Sequence, residues 1–320
     1  MSTELEGLRP EDFTDAATAA IADATGRDLT AAAAVFAESG LLGICGTEDD
    51  GGLGLGLNFA LSISAIAGKE TFFDFPLVEQ ILLAQAFAGS AQAEALINGD
   101  TLGTIAWQGD LQSSQASAAR FAPGVDVVLV TTADGAALLS RRSLAMTEDP
   151  ALDPERPQSW LALYGAEIVA TMDAAGFAAL RRDAALLYGA YVTGLAENAL
   201  ETTATYLSTR SQFGRPLSAK QSVRHSLARL KLLVEKNKAS LARGLMPDEF
   251  GVPRDVEATF MIGLADAIFV LEKSIHLHGA MGFTWELPLH FSLREIRKIA
   301  IAFPVATGQQ GVGQTFIDAA

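Results

Sequence analysis

Apolar and polar positions change their rhythm twice along this chain. Residues 1–98 read as an N-terminal helical domain, with apolar runs at helical spacing separated by turn residues. Thr30 is the expected N-cap of an alanine-rich helix that Gly40 ends. A loop carrying Gly51, Gly52, Gly54 and Gly56 leads into a short apolar helix, Asn58–Ala67, closed by Gly68. Pro76 opens another helix through Phe87, and Gly89-Ser90 starts a third.

Between residues 99 and 170 the pattern shortens to β-type runs. Gly103–Trp107, Val125–Thr132, Ala136–Ser140 and Leu161–Ala170 are strand candidates, and Asp134-Gly135 is a tight-hairpin signal. Prolines at 150, 154 and 157 mark a loop between Leu144 and Trp160. This is a small, thin β-domain. From 171 to 320 helical periodicity returns. It gives a long helix over Ala179–Thr209 and a second over Leu217–Leu241, where Leu227, Leu230, Val234 and Leu241 share a face. Pro253–Leu277 and Leu287–Ile301 complete a four-helix bundle. The expected fold is mainly α, with a small middle β-domain between two helical parts.

Composition narrows the functions this fold can serve. With 49% hydrophobic residues the chain can bury a substantial core. Its apolar runs are shorter than the ~20 residues of a membrane span, and acids stand near the start where a signal peptide carries bases. A cytoplasmic location is expected. The formal charge of −15 argues against a nucleic-acid surface. A single cysteine, Cys45, excludes an internal disulfide and reads as a small core residue.

Several familiar chemistries fail on spacing. The Gly52-x-Gly54-x-Gly56 run has Leu57 where a dinucleotide fingerprint needs glycine, and Thr47-Glu48-Asp49-Asp50 precedes it instead of a strand. A tight inter-helix turn is the better reading. His276 and His278 point apart on a helix, His225 and His290 are distant, and no metal site is expected. No Gly-x-Ser-x-Gly elbow occurs.

Two segments carry more than packing requires. Arg210-Ser211-Gln212-Phe213-Gly214-Arg215-Pro216-Leu217 places a guanidinium, an amide and an aromatic ring at a turn between helices. An arginine there can clamp a phosphate, with free amides at the next helix start adding donors. His276-Leu277-His278-Gly279-Ala280-Met281-Gly282-Phe283-Thr284-Trp285-Glu286 pairs small residues, which permit close backbone approach, with flat apolar surface. Each alone could be an ordinary turn.

Together they resemble the acyl-CoA dehydrogenase family, in which Arg-x-Gln-Phe-Gly is followed by Gln-x-x-Gly-Gly-x-Gly-Phe and Glu-x-Pro. Arg210–Gly214, Gly279–Phe283 and Glu286–Pro288 match in order, and Gly194-Leu195-Ala196, Tyr206 and Arg294 agree around them. The resemblance implies a helical domain, a middle β-domain and a C-terminal four-helix bundle, with FAD lying across a subunit interface. By position, Arg210 would hold the pyrophosphate with Gln212 and Phe213 beside it, and Leu217 and Lys220 would line the adenosine end. His276 takes the usual glutamine position, and Gly279-Ala280 the usual Gly-Gly.

The catalytic half of the pattern is missing. The usual base lies nine residues beyond Arg294, where this chain has Phe303, and no acid occurs from Ile299 to Gly308. The alternative base position on the first bundle helix is Ala184, beside Asp183. The Thr-Glu-Pro…Gly-Ser-Asp stretch that supports the flavin ring is replaced by Thr104-Ile105-Ala106-Trp107-Gln108-Gly109-Asp110. The β-domain is thus reduced, and no catalytic residue is assigned. The same asymmetry is a property of bacterial heteromeric (α2β2) acyl-CoA dehydrogenases of sterol and bile-acid side-chain degradation. The resemblance therefore implies a β-type subunit whose partner supplies the carboxylate and binds most of the acyl-CoA, with an electron-transfer flavoprotein as acceptor. Two alternatives stand beside it: a self-sufficient homotetramer using Asp183 or Glu286, and a non-catalytic scaffold or regulator of the same fold.

Overall fold

The structure, a computed structural model, describes residues 8–305. The described helices before the sheet are α1 (Thr14–Ala24), α2 (Leu29–Glu38), α3 (Leu57–Lys69), α4 (Leu77–Ala86) and α5 (Ala91–Ile97). The N-cap of α2 is Asp28, not Thr30: the Asp28 side chain accepts from the Ala31 amide, and Gly40 closes the helix at φ +70°. Helix α3 does not stop at Gly68 but runs one residue further, because Gly68 is a contact point. A Cβ there would meet the Tyr191 carbonyl at 2.0 Å, and one on Gly194 would meet the Ala65 carbonyl at 2.1 Å. The two glycines let α3 and the first bundle helix cross backbone to backbone. The Gly51–Gly56 loop is the expected turn, with Gly51 and Gly54 at positive φ and the Leu53, Gly54 and Leu55 amides bonded to Gly43, Gly46 and Ile44.

The middle sheet is larger than four strand candidates suggest. It has seven strands, β1 (Gly103–Asp110), β2 (Gln115–Ala119), β3 (Val127–Thr132), β4 (Gly135–Ser140), β5 (Ala145–Asp149), β6 (Gln158–Ala162) and β7 (Ile168–Asp173), in the order β5-β6-β2-β1-β3-β4-β7. Among the described residues only β1 and β3 pair in parallel, and β3 and β4 form the expected hairpin, with Gly135 at φ +145°. Leu161–Ala170 is not one strand: it holds the end of β6 and the start of β7, with the turn around Gly165 (φ +71°) between them. The strands absent from the reading, β2 and β5, are alanine-rich or solvent-facing and lack β-branched runs. Gln80 ties the sheet to the first helices: its side chain donates to the Leu96 and Thr101 carbonyls and accepts from the Gly103 amide.

Helix α6 (Ala174–Thr209) is the axis of the molecule, capped by Asp173 and buried continuously from Ala184 to Glu197. It starts five residues earlier than its apolar pattern, since Asp173 and Gly176 form the cap. A two-stranded turn, β8 (Ser211–Gln212) and β9 (Arg215–Pro216), leads into α7 (Gln221–Gly244). Helices α8 (Val256–Leu277) and α9 (Leu289–Ala302) finish the bundle. Leu217–Ala219 is a single 3-10 turn outside α7, because the Lys220 amide closes back on Leu217.

Candidate functional site

Two places in the structure hold the residues on which function turns, and they differ in almost every respect. The first is the exposed end of the bundle. Arg210 follows the last turn of α6, its amide bonded to the Tyr206 carbonyl and its own carbonyl accepting from Leu217. This fixes the turn's base, while Phe213 (φ +57°) and Gly214 (φ +76°) fold its tip through left-handed backbone. Phe213 stands 86% exposed, with the Lys220 ammonium 4.2 Å from its ring centre. Arg210 and Gln212 are exposed and Leu217 and Lys220 half-buried. Among the described residues, Arg210 pairs with no carboxylate.

The second motif meets the first through one aromatic stack. Tyr206 lies flat on the buried His278, ring centres 4.5 Å apart at 25°. His276, Gly279 and Ala280 flank His278 and are exposed. The His278 Nδ1 bonds the Ser274 carbonyl, while its Nε2 is buried without a partner. Gly279 sits at φ +63°, and a Cβ built on it or on Gly214 would meet nothing within 4 Å. Phe283 (83% exposed) and Trp285 add apolar surface at the same end. The eight residues singled out in sequence thus lie at the two turns closing one end of the bundle, with Arg210 free of a carboxylate partner among the described residues, Gly279 open above its Cα and the Phe213 ring exposed beside Lys220. These features fit the anionic and flat end of a dinucleotide cofactor.

The second place lies between α4, α6, the sheet and α9, and it is full. Phe303, which the resemblance drawn from sequence sets at the usual base position, is 1% exposed. Its ring contacts those of Trp107 (4.8 Å), Phe260 (5.3 Å) and Tyr188 (5.4 Å), with the Arg181 guanidinium 5.0 Å from its centre. Trp107 Nε1 donates to the Tyr188 hydroxyl, which donates to Glu79. Beside these rings Arg120 is buried between Glu79 (3.2 Å) and Glu295. Glu295 also pairs with Lys298 (2.9 Å), and Lys298 with Asp153 (3.1 Å). A cavity of only about 10 Å³ remains between Glu79, Arg120, Tyr188 and Tyr191, room for one water at most.

The two glutamates respond oppositely to the same arginine. Burial opposes ionisation of both, but at Glu295 the combined pull of Arg120 and Lys298 outweighs it and holds the carboxyl at about 2. At Glu79 burial wins over Arg120 and the carboxyl is pushed up. Burial likewise raises Tyr188. Among the described residues, both glutamates of this interior are engaged, Glu79 by Arg120 and Tyr188 and Glu295 by Arg120 and Lys298. Ala184 is fully buried, and its neighbour Asp183 accepts from Gln85 (3.1 Å) and lies 3.5 Å from Arg182. Glu286 is exposed at the bundle end. The Cys45 thiol is pushed up to about 12, by burial first and Asp183 second, which suits an inert core thiol.

The ion network was not anticipated in sequence, although a signal existed. Glu79 interrupts Leu77-Val78…Ile81-Leu82-Leu83, and Arg120 follows Ala118-Ala119. A lone charge in an apolar run calls for a partner elsewhere.

Residues 182–303 match the family model described as "Acyl-CoA dehydrogenase, C-terminal domain". The chain therefore carries an acyl-CoA dehydrogenase C-terminal domain, and its whole architecture is the acyl-CoA dehydrogenase fold. The acyl-CoA dehydrogenase IpdE2 of Mycobacterium tuberculosis is 32% identical over 109 residues, 33% of this chain and 33% of that protein. The matched stretch thus spans a third of that relative's length. A longer match is to acyl-CoA dehydrogenase FadE27 of the same organism, 26% identical over 313 residues, 85% of this chain and 84% of the relative. Among solved structures, the ChsE4-ChsE5 complex from Mycobacterium tuberculosis superposes with a TM-score of 0.78 at 22% identity, covering 96% of this chain and 97% of the other. At that identity the likeness speaks for fold. Among the described residues no helix is long and apolar enough to cross a membrane.

Proposed function

We propose that this chain is the non-catalytic, β-type subunit of a heteromeric FAD-dependent acyl-CoA dehydrogenase that introduces an α,β double bond into an acyl-CoA thioester. The observation that carries this reading is the contrast at the two sites. The bundle end offers an unpaired Arg210 and open backbone to a cofactor held mainly elsewhere, whereas Phe303 and its aromatic neighbours close the interior. In this reading Arg210 holds the pyrophosphate of a partner-bound FAD, Gln212 and Phe213 lie beside it, and Leu217 and Lys220 line the adenosine end. His276, Gly279 and Ala280 let the backbone approach it. FAD accepts hydride from the substrate's β-carbon when bound; the α-proton needs a carboxylate, which the partner's own chain supplies. In this reading the isoalloxazine ring rests on the partner, because this chain carries Thr104-Ile105-Ala106-Trp107-Gln108-Gly109-Asp110 in place of the ring-supporting stretch.

The domains proposed are 1–98 helical, 99–170 β and 171–320 bundle; residues 1–7 and 306–320 lie outside the described residues, and β7 carries the sheet on to Asp173. The assembly is a heterotetramer with the acyl-CoA mainly on the partner, and an electron-transfer flavoprotein accepts the electrons. A steroid side-chain CoA ester is the substrate class proposed, supported by the resemblance to steroid-degrading heteromers. Co-expression with the catalytic partner tests the reading. A complex carrying FAD and dehydrogenating acyl-CoA supports it, while failure to form any complex favours a scaffold or regulator of the same fold.

A further inference from the structure

Helix α8 is apolar on two opposite faces. Phe260, Ala267, Val270 and Leu271 are buried toward the rest of the bundle. The outward face is apolar as well, and open. Ile262 is 58% and Phe269 38% exposed, Ala265 between them is exposed, and Ala258 before them is half-buried. A helix with one side in water carries polar residues there, yet charges occur in α8 only at Glu257, Asp266, Glu272 and Lys273. Helix α7 extends the patch. Arg229 stands 5.1 Å from the Phe269 ring centre and Lys236 pairs with Asp266, so the two helices lie side by side here. Leu232, on the same α7 face as these two cations, is 67% exposed. A contiguous apolar patch of this kind marks a contact with another chain.

The order of side chains on this face points to which chain. Ala258, Ile262, Ala265, Phe269 and Glu272 follow at steps of four, three, four and three, the rhythm of a coiled-coil seam. The small Ala265 is central, with a large apolar side chain on each side of it. Turned antiparallel onto a copy of itself, each Ile262 meets the other's Phe269, and each Ala258 leaves room for the other's Glu272. The charges agree with that direction. Glu257 lies in the first turn, half-buried beside Arg181, and Lys273 near the far end pairs with no acid among the described residues. Antiparallel pairing sets the base of one copy against the acid of the other. Asp266, next to the crossing, already has Lys236 as its counter-ion.

We infer that α8 forms a two-fold contact between two copies of this chain, crossing antiparallel at Ala265, with Ile262 and Phe269 interlocked and Leu232 at the rim. A two-fold contact needs a surface complementary to itself, and the seam supplies one. The inference does not rest on the flavin reading; in a heterotetramer, α8 joins the two copies of this chain.

Sedimentation equilibrium of the full chain and disulfide trapping of cysteine variants test it. The parent is expected to be a dimer, and Ile262→Asp, on an exposed side chain, to raise the dissociation constant about a hundredfold with an unchanged far-ultraviolet circular dichroism spectrum. Under mild oxidation Ala265→Cys should form a disulfide between copies, because small residues at a crossing bring two Cα atoms within reach. Ala258→Cys should stay reduced, its two copies being separated by about 21 Å along the helices. Half-buried Cys45 is present in both variants and serves as the control. A monomeric parent, an Ile262→Asp variant that dimerises as the parent does, or trapping at 258 as well as 265 or at neither overturns the inference. So does a chain that stays monomeric until the catalytic partner is added, which would give α8 to that partner.

Discussion

The exposed end of the bundle and the closed interior between α4, α6 and α9 differ in how far the chain satisfies its own groups: one is open, the other packed shut. At the bundle end the Phe213 and Phe283 rings are largely exposed, and Arg210 has no carboxylate partner among the described residues. In the interior nearly every charge is matched, and Trp107, Tyr188, Phe260 and Phe303 pack ring against ring, edge to face or tilted. A site made for a ligand is costly to leave empty in a core, because buried charges and voids both destabilise. On a surface water fills the same role at little cost. On the proposed reading, a chain without a base at Phe303 needs its interior filled, whereas nothing forces a change at Arg210.

The largest effects are expected where the interior is broken. Glu295→Gln leaves Arg120 and Lys298 sharing too few carboxylates, and a loss of ~3–5 kcal/mol in urea unfolding is expected. Arg120→Met should cost less, because Glu295 keeps Lys298 and Glu79, already pushed up, can take a proton. If the arginine variant were the more damaging, the network would be misassigned.

Phe303→Ala should cost a similar ~3–5 kcal/mol by opening a void among Trp107, Tyr188 and Phe260, read as a lowered thermal midpoint. A cost under ~1 kcal/mol would mean the interior is not close-packed.

The interior should also respond to acid in a defined direction. The Glu295 carboxyl is depressed in the folded state, so its contribution is present above its unfolded pKa near 4.5 and is lost as pH falls toward about 2. Glu79 runs the other way: raised on folding, it favours the folded state at low pH and loses that advantage as pH climbs through its folded value. Comparing acid unfolding of the parent with Glu295→Gln isolates the first contribution, and the variant should show the shallower loss below pH 4.5.

The smallest stability effect belongs to the bundle end. Arg210→Ala should stay within ~0.5 kcal/mol of the parent in unfolding, yet weaken flavin retention of the assembled complex by ~1.5–3 kcal/mol. Equilibrium dialysis of the complex measures the second value. A large stability loss with unchanged flavin content would reverse the contrast between the two regions.

How far this contrast could be read from sequence depended on whether its causes are local. The α6–turn–α7 hairpin was legible because Arg210, Gly214 and Pro216 determine backbone shape on their own. The cap of α2 was misplaced by two residues, since Asp28 and Thr30 are both competent caps and only Leu29's burial against the core separates them. Strands β2 and β5 were missed because their stability comes from pairing with β1 and β6, not from their own residues. The absence of an acid at Phe303 was visible, but what fills the space was not. Trp107, Tyr188, Phe260 and Phe303 come from four separate segments, and Glu79, Arg120 and Glu295 from three, so only the folded chain brings them together.

The division of labour between the two regions is tested most directly by flavin content and acyl-CoA-dependent bleaching of the purified chain, alone and after co-expression with its catalytic partner. The expected result is little flavin and no bleaching alone, with stoichiometric flavin and bleaching in the complex. Stoichiometric FAD that acyl-CoA bleaches in the chain alone would contradict it, and would return the base to Asp183 or Glu286 of this chain.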